Sequence, residues 1–296
     1  MEYRINKSVK TNDVGYLHLA QLYERIKRQE DRNIYIDFSI CQRFDANLAA
    51  VLGALLDIFK KRGCDVWLRN LNNVGVRRTL FRNHFLKAFQ IEASNEEKES
   101  FIPYGRFTVS DTQAFKQYIK DELIGKQRFP KHTELVEKNI VESIYEIYAN
   151  AISHGNCDYV YCCGEYDADA TLPTLNMTIV DCGKTIHQNV KSFLEKQNKR
   201  VLTPLESISW AFEEGHTTKN IPGGLGLSLI REFVTLNKGS LQVVSSSGML
   251  DYRYGVTKLI ELGIPFPGTI VNMEFNFNDD KIYRMANEDI DINNLL

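Results

Sequence analysis

The stretch Glu142-Ser143-Ile144-Tyr145-Glu146-Ile147-Tyr148-Ala149-Asn150-Ala151-Ile152-Ser153-His154-Gly155 decides how the second half of the chain folds. Together with Ile140 and Val141, the apolar residues Ile144, Ile147, Tyr148, Ala151 and Ile152 form a stripe at helical spacing. Glu142, Glu146, Asn150 and His154 recur every four residues and drift around a different face. The pattern predicts a helix over 133–153, with Thr133 as N-cap and Glu137 in an acidic first turn. Glu146 and Asn150 then stand one turn apart. A carboxylate there can accept a proton, and a side-chain amide oxygen is a hard, uncharged ligand for Mg²⁺. The plain alternative is a solvated helix edge.

Downstream, strands are expected over 159–165, 174–180, 240–244 and 269–277, and helices over 111–122, 205–212 and 227–236. The last strand alternates strictly, with Val271, Met273, Phe275 and Phe277 on one side and Asn272, Glu274 and Asn276 on the other. Such alternation marks a half-buried, antiparallel strand. The expected picture is an α+β sandwich, a mixed sheet with helices on one face.

Upstream, apolar strands at 33–38 and 65–68 alternate with helices over 14–28, 47–61 and 74–85. Gly63, after Lys60-Lys61, stops the middle helix as a C′ glycine does. Strand, helix and strand with short connections imply a parallel βαβ unit, so this half reads as a small α/β domain. The charged run Ser94-Asn95-Glu96-Glu97-Lys98-Glu99-Ser100 reads as a linker. The chain therefore divides into an α/β domain at 1–93, a linker at 94–104, a second domain at 105–278 and an acidic tail at 279–296, either a docking helix or frayed.

The 296 residues carry a net charge of -2, which offers no basic footprint for nucleic acid. No apolar run reaches the ~18 residues of a membrane span, and Met1-Glu2-Tyr3-Arg4 opens no secretory leader. The six cysteines form no C-x-x-C pair and read as reduced core thiols, ahead of a zinc site at His154, Cys157 and Cys162. These features point to the cytoplasm.

Two further stretches carry chemistry. Val180-Asp181-Cys182-Gly183 ends a strand with an aspartate, a hydrogen-bond acceptor suited to an exocyclic amine, while the glycine lets a base approach the backbone. Gly223-Gly224-Leu225-Gly226-Leu227-Ser228 runs into a helix and can turn backbone N–H groups toward an anion. A Rossmann loop is excluded, because Leu229 sits where the third glycine belongs. A P-loop ending at Gly183-Lys184-Thr185 is excluded too, because Thr178 sits at its first glycine.

Taken in order, these segments resemble the GHKL superfamily of ATPases and kinases. Glu146-x-x-x-Asn150-Ala151-x-x-His154-Gly155 resembles its N-box, in a form similar to the anti-sigma-factor kinase branch. Val180-Asp181-Cys182-Gly183 resembles its Asp-x-Gly box, and Gly224-Leu225-Gly226-Leu227-Ser228 looks like its second glycine box. His216-Thr217-Thr218-Lys219 stands where the ATP lid begins, and Gly268-Thr269 opens the last strand. The resemblance, spanning about 105–278, implies a Bergerat-type fold that binds ATP and Mg²⁺. It implies that Glu146 is the general base, that Asn150 holds Mg²⁺, and that Asp181 takes the adenine amine. Gly183 would give clearance and Thr269 would contact the base. Gly224 and Gly226, within the run Leu225, Leu227 and Ser228, would serve the phosphates, with Thr218 and Lys219 on the terminal one. The family often has glycine two places after Gly183; here Thr185 implies a narrower pocket rim.

Residues 3–91 are similar to a STAS domain, the anti-sigma-factor antagonist type, through Ile36-Asp37-Phe38, Phe44-Asp45-Ala46-Asn47-Leu48, Gly63 and Val66-Trp67-Leu68. The family's phosphoacceptor serine falls at Ala46 or Asn47, neither of which can be phosphorylated, so this domain is expected to dock or sense. Three activities follow: a protein serine/threonine kinase, a regulatory ATPase, or a non-catalytic nucleotide-dependent adaptor, each with a protein partner and with a homo-oligomer left open. Glu146 favours the first two, since a binder needs no base. A sensor histidine kinase is disfavoured, because His84 and His132 lack a dimerising helical hairpin.

Overall fold

The computed structural model describes residues 1–91, 101–127, 129–167, 173–213, 225–277, 281–286 and 288. The expected linker run 94–100, the lid residues His216, Thr217, Thr218 and Lys219, and Gly223 and Gly224 lie outside them.

In the first half, β1 (Glu2–Arg4), β3 (Asn33–Asp37) and β5 (Asp65–Arg69) form a parallel sheet in the order β1-β3-β5. The connecting helices are α1 (Asp13–Lys27), capped by Asn12, and α2 (Ala49–Lys61), entered through a 3₁₀ turn at Ala46–Leu48. β2 (Ser8–Val9) and β4 (Arg43–Phe44) pair separately. The helix expected over 74–85 is two, α3 (Val74–Arg82) and α4 (Phe85–Ala88), because His84 takes a left-handed conformation between them.

The second half holds β6 (Phe101–Phe107), α5 (Thr112–Ile119, continued by a π turn at Lys120–Ile124), β7 (Lys131–His132) and α6 (Glu134–Ser153), whose N-cap is Thr133. It continues with β8 (Val160–Asp167), β9 (Thr174–Asp181), α7 (Ile186–Lys196), α8 (Pro204–Phe212), α9 (Leu225–Leu236), β10 (Ser240–Arg253), β11 (Val256–Asn276) and β12 (Ile282–Tyr283).

Two expectations about this half are corrected. The five-stranded sheet, in order β10-β11-β9-β8-β6, is antiparallel at every pairing rather than mixed. Hairpins β8–β9 and β10–β11 fix two pairings, and the return of β11 alongside β9 fixes a third. Nor are helices confined to one face. On one side, α5, α6, α8 and α9 share an apolar core with Val160, Cys162, Leu175, Met177, Ile179, Val271, Met273 and Phe275. On the other, Tyr161, Cys163, Val180, Val244 and Ile270 join the core of the first half. The molecule is thus four layers: parallel sheet, α1 with α2, antiparallel sheet, and the outer helices.

Because α2 lies between two sheets, it is buried nearly all round, from Ala49 to Leu56 without a break. Ala49, Ala50, Gly53 and Ala54 keep it slim. A Cβ on Gly53 would stand 2.3 Å from the Tyr104 hydroxyl. The 3₁₀ turn ahead of it presses polar groups onto the sheet. Asn47 donates from Nδ2 to Thr178 Oγ1 (2.9 Å) and Asn272 Oδ1 (3.1 Å), and Asn272 donates to Asn176 Oδ1 (3.1 Å). The Ala46 N–H donates to Glu165 (2.6 Å), and the Tyr16 hydroxyl to Gln242 Oε1 (3.0 Å). The strand at 269–277 is therefore not half-buried: Asn272 and Asn276 are enclosed along with their apolar neighbours.

The expected linker at 94–104 and tail at 279–296 need correction where they are described. Residues 101–104 belong to β6, and Ile282–Tyr283 forms a strand parallel to β7, with Tyr283 buried against Phe233. No helix among the described residues is long and apolar enough to cross a membrane.

Candidate functional site

Asp181 ends β9 with its side chain toward α6, in step with Leu175, Met177 and Ile179. Strand register carries that row onward: Asp181 lies opposite Thr269 on β11, and Thr269 opposite Ser245 on β10. Ser245 Oγ lies 3.0 Å from Thr269 Oγ1, accepts from the Ile186 N–H at 2.9 Å and donates to the Gly268 carbonyl at 3.1 Å. Three oxygen-bearing side chains thus cross one end of the sheet.

The end of α6 is fastened to this row. His154 is its C-cap, and the N–H groups of His154 (2.8 Å) and Gly155 (3.2 Å) both donate to the Asn150 carbonyl. The Lys184 N–H then donates to the Gly155 carbonyl at 2.6 Å. The two backbones touch so closely that a Cβ on Gly183 would lie 2.2 Å from the Gly155 oxygen. A Cβ on Gly268 would lie 2.0 Å from the Asp181 carbonyl oxygen, so β11 can approach only as glycine.

On α6, Glu146 and Asn150 are both half-buried. Glu142, one turn earlier, is exposed and paired with Lys116 at 2.7 Å. The helix face therefore splits: Glu142 serves the surface, while Glu146 and Asn150 lie toward the end that meets Asp181. Leu225, Gly226, Leu227 and Ser228 form the first turn of α9, which packs against α6. Thr218, Lys219 and Gly224 lie outside the described residues, as do the side chains of 225–228.

Asp181 is 6% exposed. Its Oδ1 accepts from the Gly183 N–H at 2.8 Å, and the carboxylate makes no other hydrogen bond among the described residues. Burial pushes its pKa up to about 7, against the opposing pull of that N–H. Burial, then the Asp181 charge, pushes the neighbouring Cys157 thiol to about 12, so it stays neutral and packs. All six cysteines are free thiols.

Thr185, two places after Gly183, stands at a helix start. It is the N-cap of α7: its hydroxyl accepts from the Gln188 N–H at 3.2 Å, and the Gln188 side chain accepts from the Thr185 N–H at 2.8 Å. That hydroxyl is committed to a helix end. Ser245 and Asn189, which donates to the His154 carbonyl at 3.2 Å, complete the site and were not expected from the sequence. Ser245 opens the run Ser245-Ser246-Ser247, which reads as a loop.

No protein-family model matches the chain, and no curated protein matches it.

The residues can be tested against an adenine nucleotide directly. A buried carboxylate with one oxygen unbonded among the described residues is an acceptor of the kind that suits a ring amine, while the Cβ side of Gly183 is taken by the Gly155 backbone. Among the described residues no three His, Cys, Asp or Glu side chains cluster as a metal site. Mg²⁺ takes few protein ligands and completes its shell with phosphate oxygens and water, so an amide oxygen such as that of Asn150 is of the right chemical type to hold it.

Proposed function

We propose that the chain binds Mg·ATP at this end of the antiparallel sheet and transfers the terminal phosphoryl group, as a GHKL-type regulatory ATPase or protein serine/threonine kinase. What carries the reading is Asp181: a buried carboxylate with a single hydrogen bond among the described residues, next to the Gly155–Gly183 contact that fastens α6 to its strand. An isolated buried carboxylate is costly, and a ligand amine that donates to it offsets the cost.

In this reading Asp181 accepts from the adenine amine, with Thr269 and Ser245 beside it. Asn150 holds Mg²⁺ by its amide oxygen, and bound Mg²⁺ supplies charge neutralisation on the phosphates. Glu146 takes the proton of the attacking hydroxyl. Gly226 and its neighbours in the first turn of α9 offer N–H groups to the phosphates, as helix starts do. Thr218, Lys219 and Gly224 complete the phosphate end. The first half, docked through Asn47, is the STAS-like regulatory part, and the partner is a protein bearing the acceptor hydroxyl. Six free thiols support a reducing, cytoplasmic setting.

Calorimetric titration with Mg·ATP tests the assignment. Asp181→Ala should weaken binding of any adenine nucleotide about 10- to 100-fold, the scale of a hydrogen bond to a charged group. Asn150→Ala should weaken only the magnesium-dependent part. Glu146→Ala should bind normally and release no phosphate. Protein with no magnesium-dependent affinity for adenine nucleotides would sink the proposal. With labelled ATP and a lysate, label on a second protein indicates a kinase, label in free phosphate an ATPase, and binding without either the adaptor.

A further inference from the structure

β5 is the outer strand of the parallel sheet, bonded to β3 on one side. Among the described residues no strand pairs with its other edge. The Asp65 N–H donates to the Arg32 carbonyl, and the Arg69 carbonyl accepts from the Phe38 N–H, so these two residues turn their backbones toward β3. Alternation sends Trp67 the same way and leaves the N–H and C=O groups of Val66 and Leu68 on the open edge. The side chains alternate too. Val66 and Leu68 are half-buried opposite Ile34 and Ile36, while Asp65, Trp67 and Arg69 are exposed on the outer face. Trp67 is 56% exposed, beside Tyr35 in register, and the Arg69 guanidinium stacks on the Tyr35 ring at 3.4 Å. Neither Asp65 nor Arg69 makes an ion pair among the described residues.

We propose that β5 pairs with β5 of a second copy, antiparallel about a twofold axis through Trp67, joining two three-stranded sheets into one of six strands. The sequence Asp65-Val66-Trp67-Leu68-Arg69 is self-complementary in that arrangement. Val66 faces the partner's Leu68, and their free N–H and C=O groups form the close hydrogen-bonded pairs. Trp67 meets the partner's Trp67 as a non-hydrogen-bonded pair, the kind whose side chains come nearest. Asp65 lies opposite the partner's Arg69, and the same ion pair repeats across the axis. The row Tyr35-Trp67 then continues into its own copy.

Edge strands are commonly guarded by charge, and like charges would serve that end. Here the two ends carry opposite signs. Antiparallel pairing is attractive, and parallel in-register stacking, which sets Asp65 on Asp65 and Arg69 on Arg69, is repelled. The arrangement selects a closed dimer over an open stack. A five-residue strand pair with two tryptophans lies at the small end of specific interfaces, so the dissociation constant should be on the order of 1–100 µM.

Sedimentation equilibrium of the full chain over about 1–300 µM tests this, with far-UV circular dichroism to check folding. A concentration-dependent dimer is expected for the wild type. Trp67→Lys and Asp65→Arg should each weaken it at least about tenfold, the first by setting charge on charge at the axis and the second by facing like charges across it. Asp65→Arg combined with Arg69→Asp restores opposite signs and should restore the dimer. A monomer at every concentration overturns the proposal, as does a dimer indifferent to Trp67→Lys or a double variant no better than Asp65→Arg alone.

Discussion

The two faces of the antiparallel sheet are covered by different chemistry. Toward α6 and α9, β9 and β11 present Leu175, Met177, Ile179, Val271, Met273 and Phe275, apolar until the row ends at Asp181 and Thr269. Toward α1 and α2, the alternate residues of the same strands include Asn176, Thr178 and Asn272, with Gln242 on β10, and each finds a partner. Apolar contact is non-directional, so the first face fixes volume more than position. A buried amide holds its preference only where its partner stands, so the second face admits the first half in one register. The difference also explains why a strand with a polar side can be enclosed.

The largest break in this comparison should come from the apolar face. Phe275→Ala should cost about 3–5 kcal/mol in a denaturant titration, as cavity formation does, and unfolding should stay one transition because the layers share cores. Next comes the carboxylate at the end of that face. Asp181 has a folded pKa of about 7, above its ordinary value, so its neutral form favours the native state. The contribution is complete below about pH 4 and is lost as pH rises through about 7. Wild-type protein without ligand should lose stability between pH 5 and 8, while Asp181→Asn should not, the gap growing to a few kcal/mol at pH 8. Melting curves across that range decide it.

On the polar face, Asn47→Ala removes its bonds to Thr178 and Asn272, which stay bonded to each other, and should cost about 1–3 kcal/mol. Combining it with Asn272→Ala should cost less than the sum, which a double-mutant cycle would show. Tyr16→Phe removes one bond to Gln242 and should cost about 1 kcal/mol. The smallest effect belongs to the solvent-facing link between the halves, Lys61 with Asp158 at 2.6 Å. Asp158→Asn should change stability by less than about 1 kcal/mol, an amount that salt diminishes.

Much of the architecture was legible. The helix under Glu146 and Asn150, the parallel arrangement of β3 and β5, and the strand end at Asp181 follow from period and capping. What hid was set by neighbours. α2 shows a stripe from Leu48 to Phe59, yet Ala49, Ala50, Gly53 and Ala54 opposite are equally apolar, which was the sign of a second sheet. β6 contains Pro103 and Gly105, both turn signals, which an edge strand with an irregular register tolerates. β10 and β11 run far beyond the expected segments because Gly248, Gly263 and Pro265 read as breaks, whereas a tight turn at Tyr254-Gly255, both at positive φ, joins one long hairpin. At the site, Thr185-x-x-Gln188 was a legible capping box, while Ser245 gave no local signal, since only register brings it beside Thr269.

β11 sits between β9 and β10, yet it is the last of the five strands to leave the ribosome. Until then Asn47 lacks one of its two acceptors, and α2 has only part of the wall that encloses it. Nascent chains should therefore carry an uncovered greasy surface through most of translation, a natural client for holding factors, and the final closure should be slow because it joins segments more than two hundred residues apart.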